Sequence, residues 1–431
     1  MISKICVAVA LSAAVFPGFA ASGGDVVPGR PALAPAAAPA AAAAPVAAFS
    51  LAALRDMARA THPSLAAADA YVEAGQAQLT TAAAYPNPDV EFLAGRSQAR
   101  LPGAVDGSVR SLALTQRLDN PWQREARLDA ARFGLEAREA ERRGLRNDLL
   151  ARLDQRFFDM LRRQAELRAS QEDLGIAEQI RSKVAVRVNT GESPRYELIK
   201  ADTELLNAQK AAESAGLRIA QARAALRTVV GPSLPADFQV EGSLARNPVV
   251  PSLDELRADL LARNPELLRS RADVRRAERQ LDLERLRRQP EVALKVAEEQ
   301  DRELRDTRLG VVVNVPIWDR RKGPVAEATA LLSRSRSEEA SQQLMLVQAL
   351  EGAYREYEIA RTQVNALENG ILREAESTMK VAEAAYRFGE RGILEYLDAQ
   401  RVFRAARNEL IAARYALQLA AIEIERLRAP Q

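Results

Sequence analysis

Two proline-free stretches, Trp122 to Ser193 and Val325 to Ala429, carry apolar positions at helical spacing without a break. Before each lies a pair of short segments in which apolar positions alternate with polar or small ones, the period of a strand. A helix of about 70 residues reaches about 100 Å at 1.5 Å per residue. No compact domain needs that length, so the pattern predicts a tube or rod, with the strand pairs marking where it is anchored.

The pattern is duplicated. Thr61-His62-Pro63-Ser64-Leu65 recurs as Arg263-Asn264-Pro265-Glu266-Leu267, and Pro88-Asp89-Val90 as Pro290-Glu291-Val292, both 202 residues later. Gly191 with Glu197 and Ala201 recurs as Gly389 with Glu395 and Ala399, now 198 residues later, which predicts a loop about four residues shorter in the second copy. One unit occurs twice, unlike the many short repeats of a solenoid. It reads helix, strand, strand, long helix, turn, helix.

The first repeat is expected over 49–231. Its opening helix runs from Leu51 to Ala84, with Leu51, Leu54, Ala58, Leu65 and Ala68 near helical spacing, until Pro86 and Pro88 stop it. Strands are expected at about 88–97 and 109–118. The long helix starts at Pro121 and carries a seam of Leu145, Leu149, Leu153, Phe157 and Leu161. A tip turn at about 189–194 follows, with Gly191 suited to a left-handed backbone. Ser193-Pro194 restarts a helix that ends at Gly231-Pro232. Residues 232–251, with several prolines and one short apolar patch, read as a loop-like linker.

The second repeat spans 252–431, with strands at about 290–298 and 307–316. Its long helix runs from about Lys322 to Phe388, with Leu344, Val347, Leu350, Tyr354 and Tyr357 on the seam. A tip turn at about 387–392 leads into a closing helix, Ile393 to Arg428. In each repeat the two shorter helices are expected to stack end to end beside the long one. The role expected for His62, which aligns with Asn264, is to start a helix rather than to catalyse.

In the strand segments, Val90, Phe92 and Ala94 alternate with Glu91 and Gly95, and Leu112, Leu114 and Leu118 with Ala113, Thr115 and Arg117. Val292, Leu294 and Val296 alternate with Ala293, Lys295 and Ala297, and Leu309, Val311, Val313 and Val315 with Arg308, Gly310 and Asn314. Segments of about ten residues with one apolar face fit transmembrane strands, and they fit hairpins on a soluble core as well. Four strands cannot close a barrel, and lipid does not tolerate open edges. The membrane reading therefore requires several chains to share one barrel.

Composition adds the compartment. Of 431 residues, 28% are charged and only 5% aromatic, and the predominance of Ala, Leu, Arg and Glu favours long helices. The 61 basic and 58 acidic residues alternate in sign along helix faces, unlike a nucleic-acid arm, so no nucleic-acid partner is expected. Residues 1–20 read as a signal peptide: Lys4, an apolar run from Ile5 to Phe16, and the small-residue site Gly18-Phe19-Ala20. The single cysteine, Cys6, lies inside it without the small-residue context of a lipid-modified cysteine. Residues 21–48 are nearly all Ala, Pro and Gly and predict a disordered lead. No nucleophile arrangement, phosphate loop or metal cluster is evident, so neither an enzyme nor a cofactor or metal site is expected.

The tip segments Asn189-Thr190-Gly191-Glu192-Ser193-Pro194-Arg195-Tyr196-Glu197-Leu198 and Tyr386-Arg387-Phe388-Gly389-Glu390-Arg391-Gly392-Ile393-Leu394-Glu395-Tyr396-Leu397-Asp398-Ala399-Gln400 carry a further signal. So do Gln116-Arg117-Leu118 and Val315-Pro316-Ile317-Trp318-Asp319, each after the second strand of its repeat. Together they resemble the outer-membrane efflux family typified by TolC, from Ser50 to the C-terminus.

The resemblance implies a mainly α fold with a small transmembrane β part. Three chains would form an α-barrel tunnel in the periplasm and a shared 12-stranded β-barrel in the outer membrane. Such a homotrimer is the passive exit duct of a tripartite efflux system, joined to an inner-membrane efflux pump through a periplasmic adaptor, or membrane fusion protein. Length and short loops resemble the cation and heavy-metal efflux branch, with drug or solvent export left open. The alternative class is a soluble exported coiled-coil adaptor or scaffold.

The resemblance also places a periplasmic gate. Tyr386 matches the tyrosine that bonds an acidic residue on a neighbouring coiled coil, here Glu197. Arg391 matches the arginine of a second restraint whose partner position is Tyr196. Glu395 and Asp398 match two acidic rings around the pore, and their spacing of three puts them on one helix face. The tip turns, Gly191, Glu192 and Ser193 with Gly389, Glu390 and Arg391, are expected to dock the adaptor. Trp122 and Trp318 follow the strands at similar places, as membrane-interface anchors or as packing between strand and helix.

Overall fold

The computed structural model describes residues 47–429 except 99, 101, 102, 104 and 105. The expected signal peptide, Cys6 and nearly all of the lead lie outside the described residues. In chain order the elements are β1 (Ala48–Ser50), α1 (Leu51–Thr61), α2 (Pro63–Ala83), β2 (Asp89–Ser97), β3 (Gly107–Arg117), α3 (Pro121–Asn189) and α4 (Arg195–Val230). Then follow β4 (Gln239–Glu241), α5 (Leu253–Arg263), α6 (Pro265–Leu286), β5 (Glu291–Gln300), β6 (Arg305–Asn314), α7 (Lys322–Ala366), a π turn (Leu367–Ile371), α8 (Leu372–Arg387) and α9 (Ile393–Arg428).

The opening helix of each repeat is two helices, not one. His62 and Asn264 both precede proline, which pushes them into extended backbone, and both cap the helix that follows. His62 Nδ1 accepts from the Ser64 N–H at 3.2 Å. Asn264 Oδ1 accepts from Glu266 and Leu267 at 3.0 and 3.2 Å, while its Nδ2 donates to the Leu427 carbonyl at 2.9 Å. The end-to-end arrangement is visible at Gly231, the C-cap of α4, where an added Cβ would lie 3.7 Å from Thr61 and 3.9 Å from His62.

Two expectations about irregular chain are corrected. Ala48, placed in the disordered lead, opens β1, and β1 pairs in parallel with β4 inside the stretch expected to be a linker. That stretch also supplies Leu234, Phe238, Val240 and Leu244 to a core with Leu54, Leu153, Phe157 and Leu226. The apolar patch among the prolines folds back to cover the first repeat, because leaving Phe238 in water forfeits about 2 kcal/mol. A second core joins Leu256, Leu260, Leu350, Tyr357, Leu417 and Ile424. On the seams, Leu145 and Leu344 are exposed, while Leu149, Leu153, Phe157, Leu161, Leu350 and Tyr357 are buried.

The second long helix contains a π turn that the sequence pattern does not announce, and residue counting explains it. Leu153-Asp154 with Phe157 and Met160 correspond to Leu350-Glu351 with Tyr354 and Tyr357, 197 residues later. Nearer the tip, Ala177-Glu178 corresponds to Ala375-Glu376, 198 residues later. The one added residue falls between these matches, where Leu367–Ile371 make the π turn. Held this way, an insertion leaves the flanking faces aligned instead of rotated by about 100°. The net shortening of four thus combines a loss of five before the long helix with a gain of one inside it. Much of the loss lies in the strand connection, residues 98–106 in the first repeat and 301–304 in the second.

β2, β3, β5 and β6 form one antiparallel sheet in that order. Register sets Val90 opposite Leu114, Leu114 opposite Val296, and Val296 opposite Leu309. Opposite residues share a face, so one apolar row crosses all four strands. The other face carries charge: Lys295 lies 3.5 Å from Glu91, Arg117 3.5 Å from Asp89, and Arg308 2.9 Å from Asp306. Among the described residues β2 and β6 each leave one edge unpaired.

Candidate functional site

At one end of the molecule is the sheet. Its apolar face is open, with Val90, Phe92, Leu114, Leu309 and Val311 all exposed, whereas Ala113 and Ala293 on the charged face are buried. An open apolar face of this extent needs a non-aqueous neighbour. The charged face suits a water-filled interior. The free edges of β2 and β6 must be satisfied by further strands if the surroundings are lipid. No helix among the described residues is long and apolar enough to cross a membrane. Trp122 and Trp318 stand exposed just beyond it.

At the other end are two helical hairpins, α3–α4 and α8–α9. Their turns are built alike. Gly191 and Gly389 have φ of +78° and +75°, a conformation costly for any residue with a Cβ. The Glu192 N–H donates to the Arg187 carbonyl at 2.8 Å, and the Glu390 N–H to the Ala385 carbonyl at 2.9 Å, closing each helix end. Gly191, Glu192, Gly389, Glu390 and Arg391 are exposed and Ser193 is half-buried. Phe388, beside them, is 80% exposed.

The hairpins meet in a small core of Ile180, Val184, Ala201, Tyr386, Ile393 and Tyr396. The Tyr386 and Tyr396 rings stack at 6.0 Å, 11° from parallel. Burial pushes both phenols upward, Tyr396 to about 12. For Tyr386 the nearby Arg187 opposes that push and Glu197 adds to it. Among the described residues the Tyr386 hydroxyl is buried without a hydrogen-bond partner.

Arg404 of α9 bridges the hairpins to Glu204 and Arg407 to Glu172 and Asp173; nearest the tip the bridge is Arg187, which the sequence pattern does not single out. Its guanidinium lies 4.7 Å from the centre of the Tyr386 ring and donates to the Tyr386 and Arg387 carbonyls, each at 3.4 Å. A cation at the C-terminal end of α8 is well placed for its dipole. In the sequence Arg187 is one of many charges on an alternating helix face, and only the fold aims it at Tyr386.

Arg391, Glu395 and Asp398 are paired locally. Arg391 in the turn donates to Glu395 just inside α9 at 2.8 Å, and Arg401 pairs with Asp398 along α9. Tyr196 is exposed, with the Lys200 ammonium 5.7 Å from its ring. Glu395 and Asp398 both line an open cleft with Lys200, Glu204, Glu374 and Arg404. No group of three or more His, Cys, Asp or Glu side chains among the described residues is arranged to hold a metal ion.

A strand sheet with one apolar face at one end, and a paired helical tip about a helix-length away, define an outer-membrane channel with a periplasmic helical tunnel. The chain belongs to the outer membrane efflux protein family, whose sequence model matches residues 54–232 and 256–428. It is 25% identical over 384 residues to the cobalt-zinc-cadmium resistance protein CzcC of Cupriavidus metallidurans, covering 88% of this chain and 89% of that one. The fold is shared with CusC at a TM-score of 0.78 and 19% identity, over 89% of this chain and 92% of that one. It is shared with the open state of the Neisseria gonorrhoeae MtrE outer membrane channel at 0.73 and 19%, over 88% of each.

The protein is the outer-membrane channel of a tripartite efflux system and conducts substrates passively to the outside. Proteins of this family are trimeric channels that work with an adaptor and an inner-membrane pump. The four-stranded sheet with two free edges is the third of a barrel that such a trimer completes.

Proposed function

We propose that the tip formed by α3–α4 and α8–α9 is the periplasmic gate of this channel and that its cargo is divalent metal cations. The observation that supports the gate is the joining of the two hairpins through Tyr386, stacked on Tyr396 and held by Arg187. The buried hydroxyl of Tyr386, unpaired among the described residues, makes Glu197 its natural acceptor in the closed trimer. Arg391 joins neighbouring hairpins by way of the Tyr196 position. Three copies of Glu395 and Asp398 line the pore, their charge partly offset by Arg391 and Arg401. The exposed turns at Gly191, Glu192 and Ser193 and at Gly389, Glu390 and Arg391 dock the periplasmic adaptor, and the adaptor's pump selects the cargo. In this reading 49–231 and 252–431 are the two structural repeats, and 232–251 serves as the cover of the first.

The gate is tested by single-channel conductance of the purified trimer in planar bilayers. Tyr386→Phe combined with Arg391→Ser is expected to raise conductance severalfold, and an unchanged value removes the gate assignment. The cargo assignment draws on the likeness to CzcC. Disruption of this channel is expected to sensitise cells to cobalt, zinc and cadmium but not to organic detergents. The reverse pattern removes the cation assignment and leaves the channel.

A further inference from the structure

Charge on the lipid-facing side of the sheet is confined to one end. On that face β2 carries Val90, Phe92, Ala94 and Arg96, and β3 carries Gln116, Leu114, Leu112, Arg110 and Ser108. β5 carries Val292, Leu294, Val296, Glu298 and Gln300, and β6 carries Val313, Val311, Leu309, Thr307 and Arg305. Every charged residue of the face, Arg96, Arg110, Glu298 and Arg305, therefore lies toward the strand connections. These are the end farthest from the helices and, in an outer-membrane channel with a periplasmic tunnel, the outer leaflet. The opposite face carries charge along its whole height, so the segregation belongs to this face alone.

The arginines are also close together. Arg110 faces Ala94 on one side and Gln300 on the other, and Gln300 faces Arg305. Arg96 faces Ser108 and so sits diagonally from Arg110, about 7–8 Å away. Arg305 is two strands from Arg110, about 10 Å. Arg305 pairs with Glu298, but neither Arg96 nor Arg110 has an ion-pair partner among the described residues. Two unpaired guanidiniums beside an apolar band repel each other, and each is a planar fork suited to phosphate oxygens.

We propose that Arg96 and Arg110, supported by Arg305, bind the phosphates of the outer-leaflet glycolipid, whose acyl chains lie along the row Val90, Leu114, Val296 and Leu309. The occupant is a lipid rather than a free anion, because the arginines stand directly above the apolar row on the side that faces acyl chains. The site fixes the height of the barrel in the bilayer at its outer rim. This rests on the assignment of the apolar face to lipid.

The test uses native mass spectrometry of the detergent-purified trimer with diphosphorylated lipid A, its dephosphorylated form, or inorganic phosphate. Wild type is expected to retain the diphosphorylated lipid about tenfold better than the dephosphorylated one, the scale of a charge-assisted contact. Arg96→Gln with Arg110→Gln is expected to lose that preference while keeping wild-type conductance in bilayers. Equal retention of the two lipids by wild type overturns the proposal without any variant. So does thermal stabilisation of wild type by inorganic phosphate alone equal to that given by the lipid. A wild-type protein that forms no pore at all is a separate failure, that of the channel itself.

Discussion

Arg55 bonds Asp154 in the first repeat, and Arg257 faces Glu351 in the second, at positions separated by 202 and 197 residues, the same offsets that relate the repeats elsewhere. The first pair is bidentate, with only 10% of the Asp154 side chain exposed. The second is 3.6 Å apart, with the Glu351 side chain 49% exposed. Duplication has kept the pair but not its surroundings, and the first core gains Leu234, Phe238, Val240 and Leu244 as a cover. A neighbouring pair has even exchanged signs. Arg142 on the long helix meets Asp69 at 3.1 Å, whereas Glu339 at the equivalent place meets Arg271 at 3.5 Å. What the fold requires at these places is opposite charge across two helices, in either order.

The largest expected effect follows from that contrast. Asp154→Ala leaves Arg55 half-buried without its partner and should destabilise the protein by about 2–3 kcal/mol. Glu351→Ala removes an exposed pair and should cost less than about 0.5 kcal/mol. Urea denaturation of the purified trimer, followed by circular dichroism, compares the two. Equal losses would falsify the claim that burial separates the repeats.

Next in size is the asymmetry of the tips. Arg187 in the first repeat corresponds to Ala385 in the second, and Tyr386 corresponds to Val188, so this contact has no counterpart in the opposite direction. Arg187→Ala removes a cation–π contact and two hydrogen bonds to carbonyls, together about 1–2 kcal/mol. The expected readout is a conductance increase comparable to that of the Tyr386 variant, with the melting temperature of the trimer nearly unchanged because the contact is at its far end. Arg187→Lys keeps the charge but not the fork and should fall between.

A smaller effect is expected from pH. Burial holds the Tyr396 phenol at about 12, against 10 when exposed. Packing of the neutral ring in the tip therefore contributes stability that is fully present below pH 10 and is lost as pH rises through about 12. The equivalent residue of the first repeat is Leu198, which does not titrate. Tyrosinate absorbance of Tyr396→Phe against wild type should show one late-titrating phenol missing, and conductance should rise only above pH 10. A phenol ionising near 10 would mean that the second tip is not packed.

Much of this was legible in the sequence, and the parts that were not share a cause. The duplicated unit, the four strands and the glycine turns at 191 and 389 are local patterns: periodicity, proline, and a φ only glycine accepts. β1 and β4 were not legible, because three-residue strands acquire meaning only from each other, nearly 200 residues apart. Arg187 was hidden among 61 basic residues, since its role depends on the other hairpin. The signal for the π turn was present but requires two alignments, one on each side of it, to differ by a single residue. Of the tip residues read from family likeness, Tyr386 is brought into the inter-hairpin core, while Arg391 in the turn pairs with Glu395 just inside α9 and Asp398 pairs along α9 with Arg401.

The finest difference between the repeats is that single residue. If the π turn is an insertion absorbed without rotating the helix, removing one residue from it should return α7 and α8 to one continuous α-helix with both buried faces intact. Gly370 is the residue to delete, since nothing lies within 4 Å of where its Cβ would be. Leu367 stays in the core, and the bond from Arg414 to Glu368 at 2.7 Å lies on the N-terminal side of the deletion. Stability should then change by less than about 1 kcal/mol, with a small gain possible because glycine is a poor helix former. Deleting Leu350 instead, at a place without a π turn, should rotate everything toward the tip by about 100° and unfold the hairpin. The same denaturation experiment reads both. A Gly370 deletion as damaging as the Leu350 deletion would mean that the π turn is required by the packing around it, and that the two long helices differ by design rather than by one tolerated residue.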